Sequence, residues 1–381
     1  MKIVIAPDSF KESMTAAEVC VAVEAGFRKT FSAASYYHVP IGDGGEGTVQ
    51  SVVDATGGKI ITREVRGPLG HAVEAFYGIT GDGKKAVIEM AAASGLQLVP
   101  NAQRNPLITT TYGTGELIID ALDHGVERIV LGLGGSATND GGAGMAQALG
   151  VKLLAGNGDE LQPGGGALCK VASIDMTTMD SRLKFVKVEV ACDVRNPLTG
   201  PLGASAIFGP QKGATPEMVE FLDSCLKRYA QVIEKDLAIT VDALPGAGAA
   251  GGLGAGIVAF LDGKLQSGID LVLDVINFED VVQGADLVIT GEGRIDSQTV
   301  HGKAPVGVAG RAKLAGDIPV IAIAGSMGDG YEAVFEHGID AVFSVVNGIV
   351  TLEEALENGK INIEKTAENI ARVLNIKGFY T

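Results

Sequence analysis

The sequence predicts an α/β protein with parallel sheets, and three observations carry that prediction. Short apolar runs recur along the chain, each ending in a polar, glycine-containing turn. The runs are near-continuous in Val, Ile, Leu and Ala without alternation, as suits strands buried on both faces. Stretches of helical period lie between them, and strand–helix–strand alternation points to right-handed parallel crossovers.

Taken in order, K-I-V-I-A-P-D from Lys2 predicts a first strand. Thr15-x-x-Glu18 then reads as a capping box, and Val19, Val23 and Phe27 fall on one helical face at i, i+4 and i+8. H-V-P-I-G-D-G from His38 predicts a second strand. Between Arg63 and Met90, H-A-V-E-A-F-Y-G-I and A-V-I-E-M flank T-G-D-G-K-K, which predicts a β-hairpin. R-I-V-L-G-L-G-G-S from Arg128 and V-E-V-A-C-D-V from Val188 predict two further strands. A helix is expected to open at Thr215 with Pro216 in its first turn, burying Val219, Leu222, Leu226 and Tyr229. The last strands are expected at D-L-V-I-T-G-E-G from Asp286, P-V-I-A-I-A-G-S from Pro319 and D-A-V-F-S-V-V-N-G from Asp340. The hairpin interrupts the alternating rhythm, so an inserted domain is expected. Residues 1–64 and 284–381 would form one α/β domain and residues 65–283 the second.

Composition narrows the function. The 381 residues suit two or three domains at about 150 residues each. Thirty Lys+Arg against 46 Asp+Glu give 30 − 46 = −16, a field that repels nucleic acid and anionic membrane. A small phosphate ligand in a locally positive pocket stays compatible. Trp is absent and aromatics make up 5% of the chain, which leaves few platforms for stacking single-stranded nucleic acid. The four cysteines Cys20, Cys169, Cys192 and Cys225 form no C-x-x-C pair, so reduced thiols in a cytoplasmic protein are expected. The N-terminal run is short and ends at Pro7 and Asp8, so it reads as a strand and not as a signal peptide. No stretch predicts a membrane span.

In open α/β sheets ligands bind outside the carboxyl ends of the strands. Here those ends carry Asp8-Ser9-Phe10-Lys11, then Asp43 and Glu46 in G-D-G-G-E-G, then the polar run Gly134–Gly142. Asp193-Val194-Arg195-Asn196 follows another strand, and Glu292, Arg294 and Asp296 are expected after the last long one. Glycine turns that expose N–H groups, set among carboxylates, suit a phosphate together with a hard divalent cation. Asp193, arriving at the end of an apolar strand, is the candidate general base. The segment Ser136–Gly142 is the candidate ligand loop. For Gly246–Gly256 a ligand loop and a close helix-packing segment are equally open. Asp8 also suits an ordinary turn, Lys11 a solvated face, and His301 an ordinary surface histidine.

G-x-G-x-x-G occurs at Gly42-Gly44-Gly47 and at Gly246-Gly248-Gly251. At this glycine content chance supplies about one such match, and Asp43 and Glu46 would repel a pyrophosphate in the first copy. That copy does follow a predicted strand and precede a helix from Thr48, with Glu64 roughly 20 residues on where a ribose-binding acid is expected, so a nicotinamide-dependent oxidoreductase is one alternative. A non-enzymatic protein closing on a small acid is another. No Walker A, protein-kinase set or G-x-S-x-G is present, so phosphoryl transfer would need a different phosphate cradle.

Six blocks fall together: I-A-P-D-S-F-K-E-S, P-I-G-D-G-G-E-G-T, G-G-S-A-T-N-D-G-G-A-G, A-C-D-V-R-N-P-L, G-A-A-G-G-L-G and T-G-E-G-R-I-D-x-Q-T. In this order and over essentially the whole chain, they resemble the type I glycerate kinases. The resemblance implies ATP-dependent phosphorylation of D-glycerate, with 2-phosphoglycerate as product and phosphorylation of the 3-hydroxyl as the alternative. It implies a flavodoxin-like domain from both chain ends, an inserted mixed α/β domain, and an active site in the cleft between them. ATP and Mg²⁺ are the implied cofactors; a homo-oligomer is left open. On this reading Asp193 takes the substrate hydroxyl proton and Lys11 neutralises the transferring phosphoryl group. Either Arg66 or Arg294 grips the glycerate carboxylate. Asp8, Asp43 and Asp296 are linked to Mg²⁺ or to substrate hydroxyls, with Ser9 beside them. Gly135, Ser136, Thr138 and Asn139, together with Gly251 and Gly252, contact nucleotide or phosphate.

Overall fold

The structure, a computed structural model, describes every residue except Asp43, Glu46, Asn347 and 377–381. Its strands are β1 (Lys2–Pro7), β2 (Ser35–His38), β3 (Lys59–Arg66), β4 (Ala72–Ile79), β5 (Lys85–Glu89), β6 (Arg128–Gly132) and β7 (Lys152–Ala155). They continue with β8 (Val171–Asp175), β9 (Lys187–Ala191), β10 (Lys264–Gln266), β11 (Leu287–Ile295), β12 (Val320–Met327) and β13 (Ala341–Ser344). The chain divides into two compact units. One comprises Met1–Asp43, Gln50–Gly57 and Val272–Thr381; the other comprises Gly44–Val49 and Gly58–Leu271. The first divide, after Gly57, lies a few residues before the expected position 64, because β3 already opens the second unit's sheet at Lys59; the second, after Leu271, lies about a dozen residues before the expected 284.

The first unit holds a five-stranded sheet in the order β13-β12-β11-β1-β2, with every pair parallel. Counted within the unit this is the order 2-1-3-4-5, a doubly wound sheet whose switch point lies between β1 and β11. Ile3, Ile5, Ile289, Ile321 and Ile323 fill its interior against Val19, Val23 and Phe27 of the Ala16–Arg28 helix. That helix starts where the capping box places it. Thr15 Oγ1 accepts from the Glu18 N–H at 3.2 Å, and the Glu18 carboxylate accepts from the Thr15 N–H at 2.9 Å. It crosses the Gly359–Leu374 helix at Gly26, where a Cβ would strike the Glu364 carbonyl.

The second unit holds a six-stranded sheet in the order β10-β9-β6-β5-β4-β3. β3, β4 and β5 form an antiparallel meander, while β5, β6, β9 and β10 run parallel. The hairpin is β4–β5, as expected. The Pro216–Leu237 helix is capped by Thr215 and buries Leu222, Leu226 and Tyr229, also as expected, whereas Val219 is only half-buried.

Three local readings change. β2 occupies Ser35–His38, one strand-length earlier than the run from His38, because Pro40 has no N–H for the ladder; Val39 and Ile41 still donate to Ile5 and Pro7. β11 runs on to Ile295, so Glu292 and Arg294 lie on the strand and only Asp296 follows it. Its ladder with β12 is continuous enough to pair Ile295 with Met327. In Ala249–Leu261 the residues Ala250, Gly251 and Gly252 are left-handed, so the segment enters its helix through a sharp turn.

Candidate functional site

In the first unit the candidate residues gather at the carboxyl ends of β1 and β11, the switch point of the sheet. Pro7 pairs with Gly291, and the Asp8 N–H donates to the Gly291 carbonyl at 2.8 Å, so the chain leaves β1 directly beside β11. Asp8 accepts from the Ser9 N–H at 2.6 Å, and the turn closes as Phe10 N–H donates to Met14 O at 2.9 Å. Gly293 lets this turn approach: the space its Cβ would fill lies 3.6 Å from Phe10 Cα and 3.7 Å from Lys11 N. Lys11 is exposed.

On β11 the carboxylate of Glu292 is buried and accepts from Thr299 Oγ1 at 2.7 Å and Lys303 Nζ at 2.9 Å. Burial pushes its carboxyl upward, and the hydroxyl and ammonium pull it back. The exposed Arg294 pairs with Asp296 at 3.1 Å, and Asp296 also accepts from the Gln298 N–H at 2.9 Å. Arg294 lies across Gly328, where any Cβ would fall 2.8 Å from its guanidinium. The unit thus brings Asp8, Ser9, Lys11, Arg294 and Asp296 onto neighbouring strand ends. Thr299 and Lys303, which order Glu292, escape the sequence reading. Asp43 lies outside the described residues.

In the second unit a cavity of about 310 Å³ opens at the carboxyl ends of β5 and β6. Five of its lining residues are glycines: Gly44, Gly45, Gly132, Gly134 and Gly135. Glu89 forms one wall and accepts from the Val49 N–H at 2.9 Å; Phe76 offers a half-exposed ring. The absence of Cβ atoms leaves main chain facing the space, the surface a phosphate chain approaches most closely. A larger cavity of about 800 Å³ opens beside Lys187, Val188 and Lys264, at the amino ends of β9 and β10. Size does not decide between them, since this sheet class binds at the carboxyl ends.

Beyond Gly135 the loop turns inward, and Ser136, Thr138, Asn139 and Asp140 are all buried. Asp140 anchors it. Its carboxylate accepts from the Thr111 N–H at 2.8 Å, Thr111 Oγ1 at 2.9 Å, and the N–H groups of Gly142 and Gly144 at 3.2 Å each. Burial still pushes the Asp140 carboxyl upward against these four donors. Thr109 Oγ1 donates to Ala137 O at 2.9 Å, so Thr109 and Thr111 together lace the loop to the segment before the Tyr112–Asp123 helix. The Arg66 guanidinium lies 3.9 Å from the centroid of the Tyr112 ring, one residue beyond Thr111. That stacking orients an otherwise exposed cation on the same segment.

Gly251 and Gly252 serve this loop from behind. Both are buried and left-handed, and the Gly141 N–H donates to Gly251 O at 3.0 Å. A Cβ on Gly251 would run into the Thr138 carbonyl. Lys212, which no motif in the sequence singles out, is 1% exposed and donates to that same carbonyl at 2.7 Å. Burial draws its ammonium down to about 7 in spite of the nearby Asp140 charge.

Asp193 leaves the end of β9, the neighbour of β6. It is exposed, and its Oδ1 accepts from the Gly268 N–H at 2.9 Å. Gly44 packs alongside: a Cβ there would lie 2.7 Å from Ala191 Cβ and 3.0 Å from Gly268 Cα. The carboxylate is therefore held at a strand end beside the glycine segment that lines the cavity. No group of three or more His, Cys, Asp or Glu side chains suited to a metal ion occurs among the described residues. No helix among them is long and apolar enough to cross a membrane.

Comparison with known proteins follows the same lines. The family model of the glycerate kinase family matches residues 3–375. A glycerate kinase of Bacillus subtilis (strain 168) is 60% identical over 99% of this chain and 98% of its own. A glycerate 2-kinase of Escherichia coli (strain K12) is 56% identical over the same shares. A crystal structure assigned as glycerate kinase 2 from Salmonella typhimurium LT2 superposes with a TM-score of 0.91 at 58% identity, covering 98% of both chains. On the family model, the length of these matches and their identity, the chain belongs to the glycerate kinase family.

Proposed function

We propose that the protein transfers the γ-phosphoryl group of ATP to D-glycerate at the 2-hydroxyl, giving 2-phosphoglycerate and ADP in the cytoplasm. The glycine-lined cavity at the carboxyl ends of β5 and β6 carries this reading, because bare main chain there suits the phosphates of a nucleotide. The names of the close relatives supply the substrate. The order of the first unit's sheet supports a flavodoxin-like arrangement.

In the proposed mechanism Asp193 accepts the proton of the attacking hydroxyl as its oxygen bonds to the γ-phosphorus and the bond to the ADP oxygen breaks. Lys11 offsets charge on the transferring group. Arg66 or Arg294 holds the carboxylate of glycerate, in a charge-assisted pair that fixes which hydroxyl faces phosphorus. Mg²⁺ enters with ATP as part of the substrate, and an ion held largely by phosphates and water needs only one or two protein carboxylates. Asp8 is the proposed one, with Ser9 and Asp296 toward the substrate hydroxyls. Gly135, Ser136, Thr138 and Asn139 supply the phosphate-facing loop.

A coupled assay with ATP, Mg²⁺, D-glycerate and enolase, with phosphoglycerate mutase left out, tests the reading. Phosphoenolpyruvate is the expected product. ADP without phosphoenolpyruvate would move the phosphate to the 3-hydroxyl or point to another product, and neither product would overturn the activity. In the same assay Lys11→Ala is expected to lower kcat/KM for D-glycerate by about a hundredfold, the scale of one lost charge-stabilising group. An unaltered kcat/KM removes Lys11 from that role.

A further inference from the structure

We infer that Lys212 is a positioning residue for this reaction: its amine holds the Thr138 carbonyl from the protein interior and thereby turns the next peptide N–H, that of Asn139, to the opposite side. The inference rests on the proposed phosphate-facing role of the Gly135–Asn139 loop.

The geometry is specific. Lys212 Nζ donates to Thr138 O at 2.7 Å, its one hydrogen bond among the described residues, and the side chain is 1% exposed. In a trans peptide the C=O and the following N–H point in opposite directions. Fixing the Thr138 carbonyl toward Lys212 therefore aims the Asn139 N–H away from it. That N–H, Thr138 Oγ1 and Asn139 Oδ1 make no hydrogen bond among the described residues. Buried polar groups are seldom left so within a protein, and three on two consecutive residues suit the binding of a polar ligand. The surrounding contacts hold the same peptides in place. Asn139 Nδ2 donates to Ser205 Oγ at 2.9 Å, and Gly251 and Gly165 press against the Thr138 and Asn139 carbonyls.

Stability alone is a weak reason for a lysine here, since the hydrogen bond to the Thr138 carbonyl and the nearby Asp140 charge offset the burial of an ammonium only in part. An ammonium buried with one of its three donors engaged carries a large desolvation cost, and an unbranched apolar side chain of the same length would fill the space without it. The amine donates to the carbonyl in either protonation state, so the clamp survives the lowering of its basicity by burial.

Lys212→Met and Lys212→Arg, compared with the wild type in the enolase-coupled assay and by thermal unfolding, test the inference. Lys212→Met, which trades the burial of an amine for a Thr138 carbonyl without its donor, is expected to unfold within about 5 °C of the wild type while kcat falls tenfold or more. KM for ATP and for D-glycerate should stay within about threefold, because a donor aimed at developing charge acts in the transition state. Lys212→Arg, which keeps a donor to the carbonyl, should recover most of the lost kcat. A wild-type kcat in Lys212→Met overturns the inference and leaves the glycerate kinase activity standing. A loss of kcat that tracks a fall in unfolding temperature, or failure of both variants to fold, makes Lys212 a structural prop and also overturns it. An inactive wild type overturns the functional reading and the inference with it.

Discussion

Asp193→Asn is expected to lower kcat by a hundredfold or more without unfolding the protein. The carboxylate stands at the end of β9 and takes the Gly268 N–H at 2.9 Å through Oδ1. An asparagine oxygen accepts that same hydrogen bond, so the local main chain keeps its anchor. What asparagine lacks is the basicity to receive a hydroxyl proton, and positioned acid–base groups contribute roughly 10²–10⁴ in rate. The competing role for Asp193 is purely structural, as the anchor of the Gly268–Val275 helix. That role gives the opposite pattern: an unchanged kcat, with any effect confined to the urea midpoint. Measuring both quantities on one variant separates the two, and an unchanged kcat excludes Asp193 as the base.

The largest effect on stability is expected at Gly251. Its φ is +68°, a region that costs an L side chain roughly 1–2 kcal/mol, and its Cβ position is already occupied by the Thr138 carbonyl. A backbone oxygen cannot swing aside as a side chain can, and overpacking of this kind adds about 1–3 kcal/mol. Gly251→Ala should therefore lose about 2–5 kcal/mol, together with activity, since the carbonyl it displaces belongs to the candidate phosphate loop. Gly125 is the control. Its φ is +75°, but nothing lies within 4 Å of its Cβ position, so Gly125→Ala should lose only about 1–2 kcal/mol. Equal losses for the two in urea unfolding would show that the close approach at Gly251 carries no energy.

Much of this was legible in the chain itself, for definable reasons. Thr15 and Thr215 announce their helices because a capping side chain must lie within three residues of what it caps. The Ser136–Asn139 loop stands out because polar, glycine-flanked residues directly after an apolar strand have few other uses. β3 is harder to read: K-I-I-T-R-E-V-R exposes almost every residue and buries only Val65, as an edge strand armed with charges does. The run from Glu292 to Ile295 looks like a loop, because its pairing with β12 is invisible in its own composition. Lys212 could not be found from its neighbours. Pro-Gln-Lys-Gly is ordinary turn chemistry, and the burial of the lysine is decided by Thr138, 74 positions earlier. The glycine-lined cavity is distributed in the same way, over Gly44, Gly132 and Gly135 with walls from β4 and β5.

The strand order of the first unit has a consequence for how the molecule is made. β1 is an interior strand, flanked by β2 on one side and by β11 on the other, with Ile3 in register with Leu287. A nascent chain emerging at about 5–20 residues per second thus holds its amino-terminal strand for on the order of 15–60 s before its neighbour is translated. Through that interval the row of ladder groups that β1 turns to β11 stays unpaired, although the Ala16–Arg28 helix is already there to cover Ile3 and Ile5. The second unit, whose strands are nearly contiguous, is complete before that wait ends. Biogenesis of this chain therefore runs from the middle outward, with the amino-terminal strand as the segment that chaperones have longest to meet.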